Sequence, residues 1–558
     1  MQLIKPARGM DICLIACVLW SAGCNQSTNP SSVAITSASS PVSSQTNALD
    51  GVKKFSPGRA FAGGACDLCL ILSGQMYGYL QPCGCSRPQT GGLERRQELM
   101  NRLSGHGYAL SAADLGDLAP KEQAGPQNRW KYEMAVKSLK AMSYAGMALG
   151  PTELAMRHDT AFDLAQNYQP PIILAANLLD PETQFPDMFK PWVMDDPRRV
   201  EDNVSMVGRV VSLLACPVPG VQMAVGFQVT SGRPRVGYLG LVGGSIIDDC
   251  KAKNYEAKFS APADALKNVL PAFQAAHPEV RILLFQGKRE EAETLLNRFP
   301  KAFDLVLCRN DASDGVAPSL PIKHDSGTLI IMVGHKGRTV GVAAYRRGKP
   351  LEYRLEELVE ELELPDNKTN VCREIMKEYV WGVYRNNYMN DVPKISHPFQ
   401  LDPELKDAVF VGAAKCRECH PQAHAHWSAT QHSHAWENLI KYGRPIAEVP
   451  QKDSTMKMIG RQYDPDCVKC HVTGYGYKGG FESAEKTPHL FGNGCENCHG
   501  PGSLHAGQPS NPVFRKPMFL SMEDKKKTGE MCMKCHDLDN DPHFDIAKWE
   551  KIKHGREK

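Results

Sequence analysis

Four pentapeptides of one pattern, C-x-x-C-H, constrain this chain more than any other feature. They are Cys416, Cys419 with His420; Cys467, Cys470 with His471; Cys495, Cys498 with His499; and Cys532, Cys535 with His536. In this arrangement two thiols add to the vinyl groups of one porphyrin, and the adjacent imidazole becomes an axial iron ligand. All three groups must reach one macrocycle from a single turn of chain, which is why the spacing is so short. Composition alone would produce about 0.02 such pentapeptides in a chain of this size, so four exclude chance. Zinc ribbons also pair C-x-x-C units, but they do not require a histidine directly after each. The expectation is four covalently attached hemes c, with His420, His471, His499 and His536 as proximal ligands.

The rest of the composition fits that reading. Among 558 residues there are 19 cysteines and 18 histidines, which points to redox or metal chemistry. At roughly 150 residues per domain, two to four domains are expected. The formal net charge is +3, and no basic block is present that would track nucleic-acid phosphates, so a nucleic-acid partner is not expected. Residues 410–558 contain few long apolar runs, so the porphyrins themselves would serve as the core of a mostly helical, loop-rich segment. Hemes packed that closely would pass single electrons, which makes redox proteins the expected partners.

The residues around the motifs carry a resemblance. Val411, Gly412 and Lys415 precede the first motif, and Trp427, Thr430, His432 and Ala435 follow it. Val472, Thr473, Gly474, Tyr475 and Gly476 follow the second; Gly494 precedes the third, and Gly500, Pro501, Gly502, Ser503 and His505 follow it. Pro542, Phe544, Trp549, Ile552 and His554 close the chain. Together they resemble the tetraheme c-554-type cytochromes, the periplasmic electron acceptors associated with hydroxylamine oxidoreductase. That resemblance implies His432, His505 and His554 as distal ligands, and three bis-histidine hemes beside one open heme. No fourth distal candidate sits in a family-like setting; the sequence leaves open which heme, if any, lacks a second ligand, and the heme of His471 is the candidate. His424, His426, His434, His489 and His543 are read as solvated surface groups.

The N-terminus carries an export signal. Lys5 and Arg8 precede a short apolar stretch over residues 12–20, which is followed by Ser21, Ala22, Gly23 and Cys24. The stretch is too short for a stable membrane span. Ala22-Gly23-Cys24 resembles a bacterial lipobox, although Ser21 stands where leucine is usual. On that reading residues 1–24 are a lipoprotein signal, Cys24 is acylated, and the protein is membrane-anchored facing the periplasm or cell exterior. The alternatives are an ordinary signal peptide cut nearby or an uncleaved anchor. Residues 25–62 are rich in Ser, Thr, Pro and Asn, as expected of a disordered tether.

Between tether and cytochrome lies a different object, residues 63–350. Short apolar runs at 69–72, 171–176, 235–241, 281–285, 303–307 and 328–333 alternate with helical patterns at 130–144 and 290–298, so layered α/β structure is expected. Gly91–Arg96, Asp114, Asp117, Asn177 and the glycines Gly334, Gly337 and Gly341 resemble the metal-dependent phosphoesterase domain of 5′-nucleotidases. The resemblance fails where metal would bind. Gln75 and Tyr77 replace the opening Asp and His, Gly150-Pro151-Thr152-Glu153 stands for Gly-Asn-His-Glu, Gln286 replaces a His, and residues 309–312 replace Gly-His-x-His. Asp117 survives, and one carboxylate cannot hold two metals. The fold is expected without the hydrolase.

The remaining cysteines bind no heme. Cys66, Cys69, Cys83 and Cys85 are read as disulfides, with a structural metal as the alternative. Cys216, Cys250, Cys308 and Cys372 are read as buried thiols or structural disulfides. Residues 351–409 are read as a helical linker, with Leu355, Leu358 and Leu362 on one face. Three functions compete at this stage: an electron carrier with the α/β half as scaffold, a heme enzyme acting on a nitrogen oxide or hydroxylamine at the open iron, and a bifunctional phosphoesterase and cytochrome.

Overall fold

The computed structural model describes residues 58–82, 89–121, 125–156, 158–179, 189–196, 232, 234–365, 367–441, 460–520, 525–537, 540–541, 544–545 and 554. The export signal, Cys24, Cys83, Cys85, Cys216 and His543 lie outside the described residues.

The apolar runs of the α/β half are strands, and their burial shows why they are so uniformly apolar. β1 (Leu68–Ser73), β2 (Leu110–Asp114), β3 (Tyr144–Ala148), β4 (Ile172–Leu174) and β5 (Phe189–Lys190) pair in parallel. The chain then changes sheet through β6 (Trp192–Asp195), followed by β7 (Val236–Val242), β8 (Val280–Gln286), β9 (Leu305–Cys308), β10 (Ile322–Lys323) and β11 (Leu329–Met332). It returns to the first sheet with β12 (Thr339–Tyr345) and β13 (Glu352–Glu357). The strand orders are β13-β12-β1-β2-β3-β4-β5 and β10-β11-β9-β8-β7-β6.

Alternation along each strand divides the side chains between two cores. Leu68, Leu70 and Leu72 of β1 meet Tyr238, Ile282 and Leu284 of the second sheet. Cys69 and Ile71 point the other way, toward helices. Those helices are α1 (Leu93–Gly105), α2 (Pro126–Ala141), α3 (Pro151–Ala155), α4 (His158–Asn167) and α5 (Gly244–Ala252). The outer face of the second sheet, Leu239, Leu241, Leu283 and Phe285, is covered by α6 (Pro262–Ala275) and α7 (Arg289–Arg298). The result is a four-layer α/β/β/α sandwich, in which strands buried on both faces need no polar side.

The linker departs from the sequence reading. Residues 352–357 form a strand, not a helix: β13 pairs antiparallel with β12, Leu355 opposite Gly341. The turn between them places Gly348 at φ 71°, and the Lys349 N–H closes on the Arg346 carbonyl at 3.0 Å. A hairpin next in sequence to an exposed sheet edge outcompetes a helix whose apolar spacing is only nominal. The helix comes later, α8 (Val371–Asn386), capped by the Asn370 side chain accepting from Arg373 N at 2.8 Å. It packs on α2 so closely that a Cβ on Gly382 would lie 2.4 Å from the Trp130 ring.

Cys66 and Cys69 are buried free thiols, so the disulfide reading does not hold for that pair in this structure. Cys250, Cys308 and Cys372 are also buried thiols, as one branch of the reading had it.

The C-terminal segment is built from short helices: α9 (Ala413–Arg417), α10 (Pro421–Ser428), α11 (Ala435–Lys441), α12 (Pro465–His471), α13 (Cys495–His499), α14 (Ser503–Gly507), α15 (Pro512–Arg515) and α16 (Lys525–Cys532). Its apolar cluster is small, centred on Trp436, Val468, Val472, Phe481 and Leu490.

Candidate heme-binding centres

Each C-x-x-C-H motif begins on or at the end of a short helix, and the chain turns just after it. Cys416 lies on α9, and His420 caps α10; α12 carries all of Cys467, Cys470 and His471; α13 is the third motif itself; α16 ends at Cys532. The motifs are drawn together in twos. The side chain of Cys416 lies beside that of Cys495, and that of Cys470 beside that of Cys535.

The histidines pair across the segment. The rings of His420 and His505 have centroids 6.3 Å apart and planes 24° apart. His432 faces His536 at 5.9 Å, and His499 faces His554 at 5.9 Å. Two imidazoles on opposite sides of one iron, with metal–nitrogen bonds of about 2 Å, have centroids about 6 Å apart. These residues therefore fit a six-coordinate heme iron in three places. Among the described residues no three His, Cys, Asp or Glu side chains converge as a protein-only metal cage. Paired imidazoles suffice for a porphyrin iron, because the macrocycle supplies the in-plane nitrogens.

His471 differs. Among the described residues its ring pairs with no second imidazole; its Nδ1 lies 2.6 Å from the Ala435 carbonyl. His499 is held similarly, Nδ1 to Met518 O at 2.8 Å, and His536 by the Asp541 carboxylate at 2.8 Å. A partner on Nδ1 fixes the ring and leaves Nε2 to face a metal. Burial lowers the pKa of His432, His471, His499 and His505, keeping neutral imidazoles with a free lone pair.

The other histidines behave differently. His434 is exposed and reaches Glu437 at 3.0 Å; His426 and His489 are exposed, and His424 packs on Trp427. His397 accepts from Phe399 N at 3.2 Å and packs edge-on against Phe410 and Tyr477.

Sequence reasoning missed the variable residues of the third motif. Glu496, 2% exposed, accepts from the backbone N–H groups of Val411, Gly412 and Gly502 at 2.7–3.0 Å. Asn497 accepts from Gly474 N at 3.0 Å and donates to Val472 O at 2.9 Å. The third motif thus stitches the first and second to itself. The available signal was polar side chains at both x positions, together with three glycines among their targets.

In the α/β half, the positions that replace metal ligands do converge, at the C-terminal ends of β1, β2, β3, β8 and β9, the usual place for sites in such sheets. Arg309 occupies the centre. Its Nη1 donates to the Asp117 carboxylate and, at 2.9 Å, to Gln286 Oε1; its Nη2 lies 3.4 Å from the Tyr77 hydroxyl. Gln75 Nε2 donates to the same hydroxyl at 2.8 Å. Gln75, Tyr77 and Asp117 keep positive φ, a backbone strain typical of functional sites. Glu153 is fully buried and accepts from the backbone N–H groups of Asp117, Leu118, Ala119 and Gly150; burial, then Asp117, push its carboxyl up to about 8.

A guanidinium thus neutralises the buried Asp117 carboxylate. Replacing Arg309→Ala is expected to cost about 3 kcal/mol or more, measured by urea unfolding, because Asp117 is left buried without its cation. Nucleotide esters with added manganese are expected to go unhydrolysed. Turnover that disappears in Asp117→Ala would overturn that expectation.

Paired C-x-x-C-H motifs and facing imidazoles give the C-terminal segment the features of a multiheme c-type cytochrome. Residues 415–500 match the family model of cytochrome c554 and c-prime. Cytochrome c-554 of Nitrosomonas europaea is 38% identical over 144 residues, covering 23% of this chain and 58% of that protein, so the chain spans little over half of this relative's length. The α/β half is similar to solved phosphoesterases. A 5′-nucleotidase precursor from Thermus thermophilus is 15% identical, covers 57% of this chain and 59% of its own, and has a TM-score of 0.42. A calcineurin-like phosphoesterase from Bacillus subtilis is also 15% identical, with coverages of 57% and 97% and a TM-score of 0.39.

Proposed function

We propose that this protein is an exported electron carrier with four covalently bound hemes c, three closed by paired histidines and one open. The observation that carries the reading is the three facing imidazole pairs, His420 with His505, His432 with His536, and His499 with His554. Bound heme c supplies one-electron redox chemistry. The residues' part is to hold it still. Cys416, Cys419, Cys467, Cys470, Cys495, Cys498, Cys532 and Cys535 fix each macrocycle to the backbone. The paired imidazoles would hold each heme from both sides, which suits a group that passes electrons with little rearrangement. The contacts between Cys416 and Cys495, and between Cys470 and Cys535, bring one attachment site close to the next.

A second reading, a heme enzyme acting on a nitrogen oxide or hydroxylamine, is favoured by one observation, the absence of a second imidazole at His471 among the described residues. The pairing of Arg309 with Asp117 speaks against the bifunctional reading. Electron donor and acceptor would be redox proteins outside the cytoplasm.

Two measurements test the carrier. The intact mass of mature protein is expected to include four hemes that survive acid–acetone extraction, and fewer would sink the proposal. Anchoring through Cys24 predicts that Cys24→Ser moves the protein from the membrane to the soluble fraction; a variant that stays membrane-bound would refute the lipobox. No helix among the described residues is long and apolar enough to cross a membrane.

A further inference from the structure

The helix bearing the second motif is held from outside the cytochrome segment. Its N-cap is Asp464, 3% exposed, whose Oδ1 accepts from Asp466 N at 3.1 Å. The same Oδ1 accepts from Gln127 Nε2 at 2.8 Å, a residue 337 positions earlier on α2. Its Oδ2 lies 3.4 Å from the Tyr379 hydroxyl on α8 and 3.1 Å from Arg461 Nη2. One residue into the helix, Asp466 forms an ion pair with Lys131, also on α2. Just before it, Tyr463 meets Tyr384 of α8 edge-on, centroids 4.7 Å apart.

The grip is rigid on the α/β side. Gln127 Nε2 also donates to the Tyr379 hydroxyl at 3.2 Å, and Trp130 Nε1 donates to the Tyr379 carbonyl at 3.1 Å. The other motifs are fastened differently. The first and third are joined within the segment through Glu496, and His536 of the fourth takes Asp541. Among the described residues α12 is the motif helix whose N-cap is held by the α/β half.

We propose that Gln127, Lys131 and Tyr379 are positioning residues for the heme of His471, so that the α/β half sets the properties of the open iron site. The proposal rests on the reading of that heme as open. The physical chain is short. Cys467, Cys470 and His471 would tie α12 to its macrocycle at three points, so any displacement of this seven-residue helix displaces the heme. Cys467, Cys470 and His471 would hold that heme, which would supply an iron able to bind a small ligand, and His471 would couple such binding to the helix. The freedom of α12 therefore enters the binding free energy, and a clamp on its N-cap fixes that contribution. By linkage, whatever docks on α2 or α8 changes ligand affinity at the heme, and the reverse. A former hydrolase fold would thereby serve as the lever on a redox site.

The test uses full-length holoprotein with nitric oxide as the probe. Gln127→Ala, Tyr379→Phe and Lys131→Ala are each expected to change nitric oxide affinity by about three- to tenfold, the effect of losing one cap or one buried hydrogen bond. They should also alter the high-spin paramagnetic resonance signal while leaving the low-spin signals and the heme content unchanged. Lys131→Arg, which retains the ion pair, should behave as wild type. Arg309→Ala, in the same half but away from α12, should lower stability without moving the heme signals. If wild-type protein binds no nitric oxide, the open-heme reading falls by itself. The clamp is then judged by redox titration, where one of the four potentials must shift in the three variants. Variants matching wild type in both ligand affinity and potentials would overturn the proposal.

Discussion

Oxidised protein should show three low-spin ferric hemes and one high-spin heme, and His505→Ala should convert a second heme to high spin. His505 sits across from His420 at the separation that two ligands of one iron require. Its Nδ1 is buried without a hydrogen-bond partner, so its position in the structure is not explained by a hydrogen bond at that atom. On the proposed reading, removing it would leave His420 as the one histidine ligand of that heme, and alanine offers nothing to replace it. The number of nitric oxide sites per protein should then rise from one to two. Paramagnetic resonance reads the spin states, and an optical titration counts the sites. His434→Ala, an exposed histidine paired with Glu437, should change neither. Four low-spin hemes without ligand binding in the wild-type protein would remove the open site and leave a pure electron carrier.

How far this arrangement could be read from sequence depended on the range of the forces involved. The candidate heme-attachment motifs were legible because thiols and imidazole would have to act from one turn of chain, a constraint that spacing alone expresses. The partners His432, His505 and His554 were named from a resemblance, and pairing them with His536, His420 and His499 required the fold. Strands β1, β7 and β8 were legible because burial on both faces leaves only apolar residues. The hairpin of β12 and β13 was misread, since Leu355, Leu358 and Leu362 repeat at a helical spacing that pairing with β12 overrides. Local pattern cannot register a hydrogen-bonding edge supplied by the rest of the sheet. In the cleft of the α/β half, the departures from the phosphoesterase pattern at Gln75, Tyr77 and Gln286 were legible in the sequence. That Arg309 had moved its charge onto Asp117 was not, because the contact spans 192 positions. The hold of Gln127 on Asp464 was hidden for the same reason.

Protein made without heme attachment should fold in its α/β half and fail to fold beyond residue 410. The contrast lies in the cores. In the α/β half, two sheets and their helices bury leucine, isoleucine, valine and aromatic side chains in three large clusters. The C-terminal segment has, among its described residues and Met389, one cluster of eight buried apolar side chains. Its helices are short, from four to eight residues, and isolated helices of that length are unstable in water. Ordering each residue costs about 1–2 kcal/mol of backbone entropy, which so small a cluster cannot offset. Covalently held macrocycles would supply the missing apolar surface, and the facing imidazoles the missing cross-links. Limited proteolysis of full-length protein expressed without cytochrome maturation should therefore leave a resistant fragment ending between α8 and α9, while holoprotein resists to near its C-terminus. Hydrogen exchange should show the same division, with protection kept in β1, β7 and β8 and lost in α12 and α13. Loss of heme should also free Gln127 and Tyr379 from Asp464, so α2 and α8 should exchange faster at their contact with α12 alone. An apoprotein whose C-terminal segment is as protected as that of the holoprotein would mean that the polypeptide, and not the cofactor, builds that core.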